Sequence, residues 1–124
     1  MAAVPPAPVG PGAAVPVVPL IPEDLDYALS LIGITIPAQR IRIVEREGLT
    51  KIEDLGLFQS KEIETMASRY MKLPQLQRID FGLLRLKRLK AVAHWARKQK
   101  RSNIPVDHTA LTAEVLDEMI EEMN

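Results

Sequence analysis

Residues 31–67 read LIGITIPAQRIRIVEREGLTKIEDLGLFQSKEIETMA, and the punctuation of this stretch decides the fold class. Pro37 has the fixed φ that suits a first helical turn, Ile41 and Val44 follow at helical spacing, and Gly48 supplies a stop. Thr50 followed by Glu53 matches a capping box, in which the hydroxyl takes the third amide and the carboxylate returns to the cap amide. That pair predicts a short helix through Leu55. Ser60 reads as the next N-cap, ahead of a helix from Lys61 to about Met71 that turns Ile63, Met66, Ala67 and Tyr70 inward.

Working toward the N-terminus, Gly33 closes an earlier helix that begins near Glu23, with Leu25, Ala28, Leu29 and Ile32 on one face. Pro22 precedes it, and Glu23, Asp24 and Asp26 suit the positive end of the helix dipole. Residues 1–22 carry seven prolines and no charged side chain, which predicts a flexible, polyproline-like leader. No Lys or Arg flanks its prolines as an SH3-type ligand would require. Toward the C-terminus, Leu76, Ile79, Leu83, Leu86, Leu89, Val92, Ala93 and Ala96 keep a helical period. They predict one helix from about Gln75 to Arg101, weakened by about 1 kcal/mol at Gly82. Beyond Ser102, Asn103 and Pro105, an acidic amphipathic helix is expected over about Thr112 to Met123. Its apolar stripe holds Val115, Leu116, Met119, Ile120 and Met123, with Leu111 just ahead of it.

The composition agrees with helices and excludes several chemistries. Aromatic residues make up 4% of the chain, so the core must be aliphatic, which suits helix packing better than a sandwich of sheets. There is no cysteine, hence no disulfide, thiolate zinc site or cysteine nucleophile, and an intracellular compartment, cytoplasm or nucleus, is expected. No proline-free apolar run approaches the roughly 20 residues that a bilayer requires. The net charge of zero hides a segregation: residues 78–101 hold nine basic groups and one acidic, and residues 107–124 hold six acidic and none basic.

Over residues 31–67 the chain resembles SAM-like and helix-hairpin-helix domains, through the hairpin glycine Gly33, the helix-ending Gly48 and the LTKIEDL stretch. In the DNA-binding version of the hairpin a second glycine lets backbone amides approach a phosphate, and Thr35 stands in that place here. The run RIDFGLLRLKRLKAVAHWARKQKR resembles the N-terminal, gag-like region of copia-type retroelement polyproteins of protists, matched at Phe81, Gly82, Arg85, Lys87, Leu89, Ala91, His94 and Trp95. That resemblance implies assembly or nucleic-acid packaging and no catalysis.

The candidate nucleic-acid residues are Arg78, Arg85, Lys87, Arg88, Lys90, Arg97, Lys98, Lys100 and Arg101, enough charge for several phosphates. Stepping 100° per residue scatters them around most of the helix, so a solvated basic helix is the plainer expectation. Trp95 is expected to anchor the core and not to stack on a base. His94 and His108 lie too far apart in sequence for a local metal pair, and no metal or cofactor is expected. Glu53 with Asp54, Asp117 with Glu118, and Glu121 with Glu122 read as surface carboxylates and not as an acid-base pair. The expected fold is an all-α, SAM-like or helix-hairpin-helix-like bundle with a disordered proline-rich tail and an acidic C-terminal helix. The expected function is a non-enzymatic binding and assembly module that contacts RNA or DNA through the basic helix. The alternative is a protein-protein adaptor or self-association domain, with Leu116, Met119, Ile120 and Met123 as partner-binding residues. Neither a membrane nor a small-molecule substrate is expected.

Overall fold

The computed structural model describes residues 21–124, so the expectation of a flexible leader lies outside the described residues up to position 20. Ile21, read from sequence as part of that leader, is buried in the core. Among the described residues the fold is all-α: α1 (Glu23–Leu31), α2 (Pro37–Glu47), α3 (Ser60–Met71), α4 (Leu83–Arg101) and α5 (Ala113–Met123). Two 3₁₀ helices, Ile52–Leu57 and His108–Ala110, fill the connections, and no strand forms among these residues.

The helix ends follow the glycines. Gly33 (φ 115°) and Gly48 (φ 69°) both take positive φ, where a side chain would be strained. The amides just past them bond back into the closing turns, Ile34 to the Leu29 carbonyl and Leu49 to the Val44 carbonyl, each at 3.0 Å. Packing at Gly33 is also close, since a Cβ there would lie 3.1 Å from Arg85 Nε.

Two predicted caps shift by one residue. Asp54, not Glu53, closes the box after Gly48: its Oδ2 accepts from the Thr50 hydroxyl and amide, each at 2.7 Å, and from the Lys51 amide at 3.2 Å. The Thr50 hydroxyl foremost holds the Asp54 carboxyl below its ordinary value. The helix that follows is a 3₁₀ helix, whose N-cap is Lys51. Before α3 the N-cap is Gln59, whose amide donates to Glu62 Oε1 at 2.9 Å, and Ser60 is the first helical residue.

The larger correction concerns residues 75–82. No helix forms there; the Pro74 carbonyl closes a turn with the Gln77 amide at 2.8 Å, and the chain then runs extended to Gly82, the N-cap of α4. Ile79 and Phe81 are buried while Arg78, Asp80 and Gly82 are exposed, which is the alternation of an extended segment. Tertiary contact overrides the helical period: the Ile79 amide donates to the Tyr70 carbonyl at 3.2 Å, and the Phe81 ring lies 6.1 Å from that of Tyr70. Leu76 is consequently 95% exposed and Leu83 70% exposed, so neither belongs to the core that the sequence assigned them.

One aliphatic cluster joins every α-helix. It contains Leu25 and Leu29 of α1, Ile43 of α2, Ile63 and Met66 of α3, Leu89 and Trp95 of α4, and Leu116 and Met119 of α5. Polar bonds tie its edges. Asp24 Oδ2 accepts from the Ile52 amide at 2.8 Å, Arg40 pairs with Asp26 at 2.7 Å, and the Tyr27 hydroxyl donates to the Leu111 carbonyl at 2.6 Å. The last of these fastens the approach to α5 onto α1. Tyr70 is buried, and its hydroxyl donates to Glu47 Oε2 at 2.7 Å; burial first, and then that carboxylate, push its phenol up.

Candidate interaction surface

The basic helix α4 is central to the fold. Leu89, Ala91, Val92, Ala93, Trp95 and Ala96 are all buried, and α3, α5 and the first 3₁₀ helix pack around it. Trp95, 3% exposed, is a core anchor and presents no face to a base. Small residues on this face admit close neighbours. A Cβ added to Gly56 of the 3₁₀ helix would lie 3.3 Å from the Ala96 Cβ.

The charges of α4 divide into two kinds. Lys87, Lys90, Arg97, Lys98 and Arg101 fall within an arc of about 100° with His94 among them, whereas Arg85, Arg88 and Lys100 lie outside it. Within the stripe, the middle members are engaged by the protein itself. Lys90 pairs with Glu64 of α3, and Lys98 Nζ donates to Glu122 of α5 at 2.6 Å. The other oxygen of Glu122 lies 3.1 Å from His94 Nε2. Arg97 donates from Nη1 to the carbonyls of Gly56 at 3.2 Å and Phe58 at 2.8 Å. Lys98 foremost, then His94, holds the Glu122 carboxyl below its ordinary value, and Lys90 does the same to Glu64.

At the edges, Arg85 donates to the Asp80 carbonyl at 2.8 Å and Arg78 to the Leu73 carbonyl at 3.3 Å. Five of the nine candidate nucleic-acid residues, Arg78, Arg85, Lys90, Arg97 and Lys98, thus bond within the fold. Lys87, Arg88, Lys100 and Arg101 have no hydrogen bond or ion pair among the described residues. At a rise of about 1.5 Å per residue these two pairs stand about 20 Å apart along α4.

Exposed leucines accompany each pair. Leu83 and Leu84, 70% and 56% exposed, lie one turn before Lys87 and Arg88. At the other end Leu57, 72% exposed, edges a cleft of about 280 Å³ between the first 3₁₀ helix and the last turns of α4. Glu53, Gly56, Ala96, Arg97, Lys100 and Arg101 line it together with Leu57. Sequence reasoning missed this cleft. The one signal was LGLF, where a glycine separates a buried Leu55 from an exposed Leu57.

Of the residues read as partner-binding, Leu116 and Met119 are buried in this chain's own core, Ile120 is half-buried and Met123 is exposed. The acidic helix lies on α4 as its amphipathic pattern requires, with Thr112 Oγ1 accepting from the Val115 amide at 3.2 Å. Its remaining carboxylates, Glu114, Asp117, Glu118 and Glu121, are exposed. Among the described residues no group of three His, Cys, Asp or Glu side chains could hold a metal ion, and no helix is long and apolar enough to cross a membrane. No family model, curated protein or solved structure matches the chain.

Proposed function

We propose that this chain is a non-enzymatic protein-interaction module that recognises short acidic segments through the two ends of α4. The observation that carries this reading is the split of the cations that no described residue engages into Lys87 with Arg88 and Lys100 with Arg101, each pair beside exposed leucine. A cation next to exposed apolar surface suits a peptide that offers both a carboxylate and an apolar side chain. The resemblance of residues 31–67 to SAM-like domains adds support for a role in association.

Nucleic acid is the second reading, favoured by the density of basic residues in the resemblance to gag-like regions. A phosphate backbone laid along the stripe from Lys87 to Arg101 would cross Lys90 and Lys98, already paired with Glu64 and Glu122. It would also pass Glu122 of α5, which lies between Lys98 and His94. Fluorescence anisotropy with a labelled acidic, leucine-containing peptide and an oligonucleotide of equal length, at low and physiological salt, separates the two readings. The interaction reading expects the peptide to bind more tightly at physiological salt. Tighter oligonucleotide binding there, with a steep salt dependence, overturns it.

A further inference from the structure

We propose that the cleft between Leu57 and the last turns of α4 is a docking pocket for one bulky apolar side chain carried on an acidic segment of a partner protein. The inference rests on the interaction reading above and assigns it a site. Its volume, about 280 Å³, lies just under the range of about 300 to 1,000 Å³ typical of small-molecule sites and is suited to a single side chain. Gly56 and Ala96 both line the pocket, and the backbone of the 3₁₀ helix approaches α4 closely there. Leu57, 72% exposed, supplies an apolar wall that no described residue covers.

Charge chooses the occupant. Arg97, Lys100 and Arg101 surround the pocket with a single carboxylate, Glu53, so the rim carries an excess of positive charge. Arg97 is held in place by the Gly56 and Phe58 carbonyls, which fixes one cation of the rim without the entropy that a free side chain loses on binding. The acidic helix α5 of the same molecule sends Glu122 to Lys98, which points about 160° away from the pocket residue Lys100 around α4, and no α5 residue lines the pocket. An apolar residue flanked by carboxylates satisfies both halves of the site, whereas a bare polyphosphate leaves Leu57 and the pocket floor uncovered.

The test uses the full chain and two labelled synthetic helical peptides, one with leucines on one face flanked by glutamates and one with every glutamate replaced by lysine. Anisotropy should show saturable binding of the glutamate peptide alone. Leu57→Asp, and separately Lys100→Ser with Arg101→Ser, should each weaken it at least tenfold, and by clearly more than Lys87→Ser with Arg88→Ser does. Leu57 is exposed, so Leu57→Ser provides a second variant that leaves folding intact, to be checked by circular dichroism. Equal binding of the lysine peptide, or a glutamate-peptide affinity indifferent to Leu57 and Lys100, overturns the pocket. If binding is lost with Lys87 and Arg88 instead, the interaction reading stands and this site falls. If neither peptide binds and an oligonucleotide does, both fall.

Discussion

The middle of α4 and its two ends both carry basic residues, with opposite duties. Between Leu89 and Lys98 the helix is walled by α3, α5 and the first 3₁₀ helix, and its cations are matched to Glu64, Glu122 and two backbone carbonyls. At Leu83–Arg88 and at Lys100–Arg101 leucines stand exposed nearby, and four cations keep no partner among the described residues. The difference shows that a run of basic residues is not one functional unit. What each charge does is set by which elements reach it, and that is a property of packing.

The comparison is broken most forcefully at Trp95. Trp95→Ala should cost about 3–5 kcal/mol in urea unfolding, as a large side chain leaves a buried cavity, whereas Leu83→Ala should stay within about 0.5 kcal/mol. A similar loss at both positions would put the end of α4 in the core. Next in size is Arg97→Ala, expected to cost about 1–3 kcal/mol because the Gly56 and Phe58 carbonyls lose a charged donor. Arg101→Ala, with no bond to lose among the described residues, should be near neutral by the same measurement.

A smaller effect sharpens where the helix begins. Gly82 is an N-cap in an extended conformation, φ −68° and ψ 170°. Gly82→Ala should therefore destabilise by a few tenths to about 1 kcal/mol, since alanine caps worse than glycine. Had residue 82 been inside a helix starting at Gln75, the same change would stabilise by about 1 kcal/mol. The sign alone decides.

The smallest effect belongs to the contact between α4 and α5. The Glu122 carboxyl is held below its ordinary value of 4.5 by Lys98 and His94. A depressed folded-state value means stability present above about pH 4.5 and lost as pH falls through the folded value. Glu122→Gln should lower the neutral plateau of a melting-temperature profile slightly, because the pair is solvent-exposed, and flatten the acid limb below that pH by the same small amount. An acid limb identical in both proteins would remove Glu122 from the account.

Much of the architecture was legible in the sequence because local chemistry and packing agree there. Gly33 and Gly48 end helices at positive φ, Ile63, Met66, Ala67 and Tyr70 all face inward, and the apolar stripe of the acidic helix covers α4. Residues 75–82 were illegible because Leu76, Ile79 and Leu83 keep a helical spacing that Tyr70 overrules, by binding the Ile79 amide and packing on Phe81. The cap at Asp54 was read one residue early, since Glu53 and Asp54 both lie within reach of the Thr50–Lys51 backbone. The surface was the least legible part. Periodicity shows which way Lys98 and Lys100 point, but only the fold shows that Glu122 meets the first and an open cleft the second.

The division of α4 is tested most directly by comparing two multiple variants for binding of the glutamate peptide and for melting temperature. In one, Lys87, Arg88, Lys100 and Arg101 are changed to serine; in the other, Lys90 and Lys98 are. The account predicts that the first abolishes binding and remains folded, losing no more than about 2 kcal/mol over its four substitutions, while the second keeps wild-type affinity. Peptide binding retained by the first variant, or lost by the second while it remains folded, would contradict it.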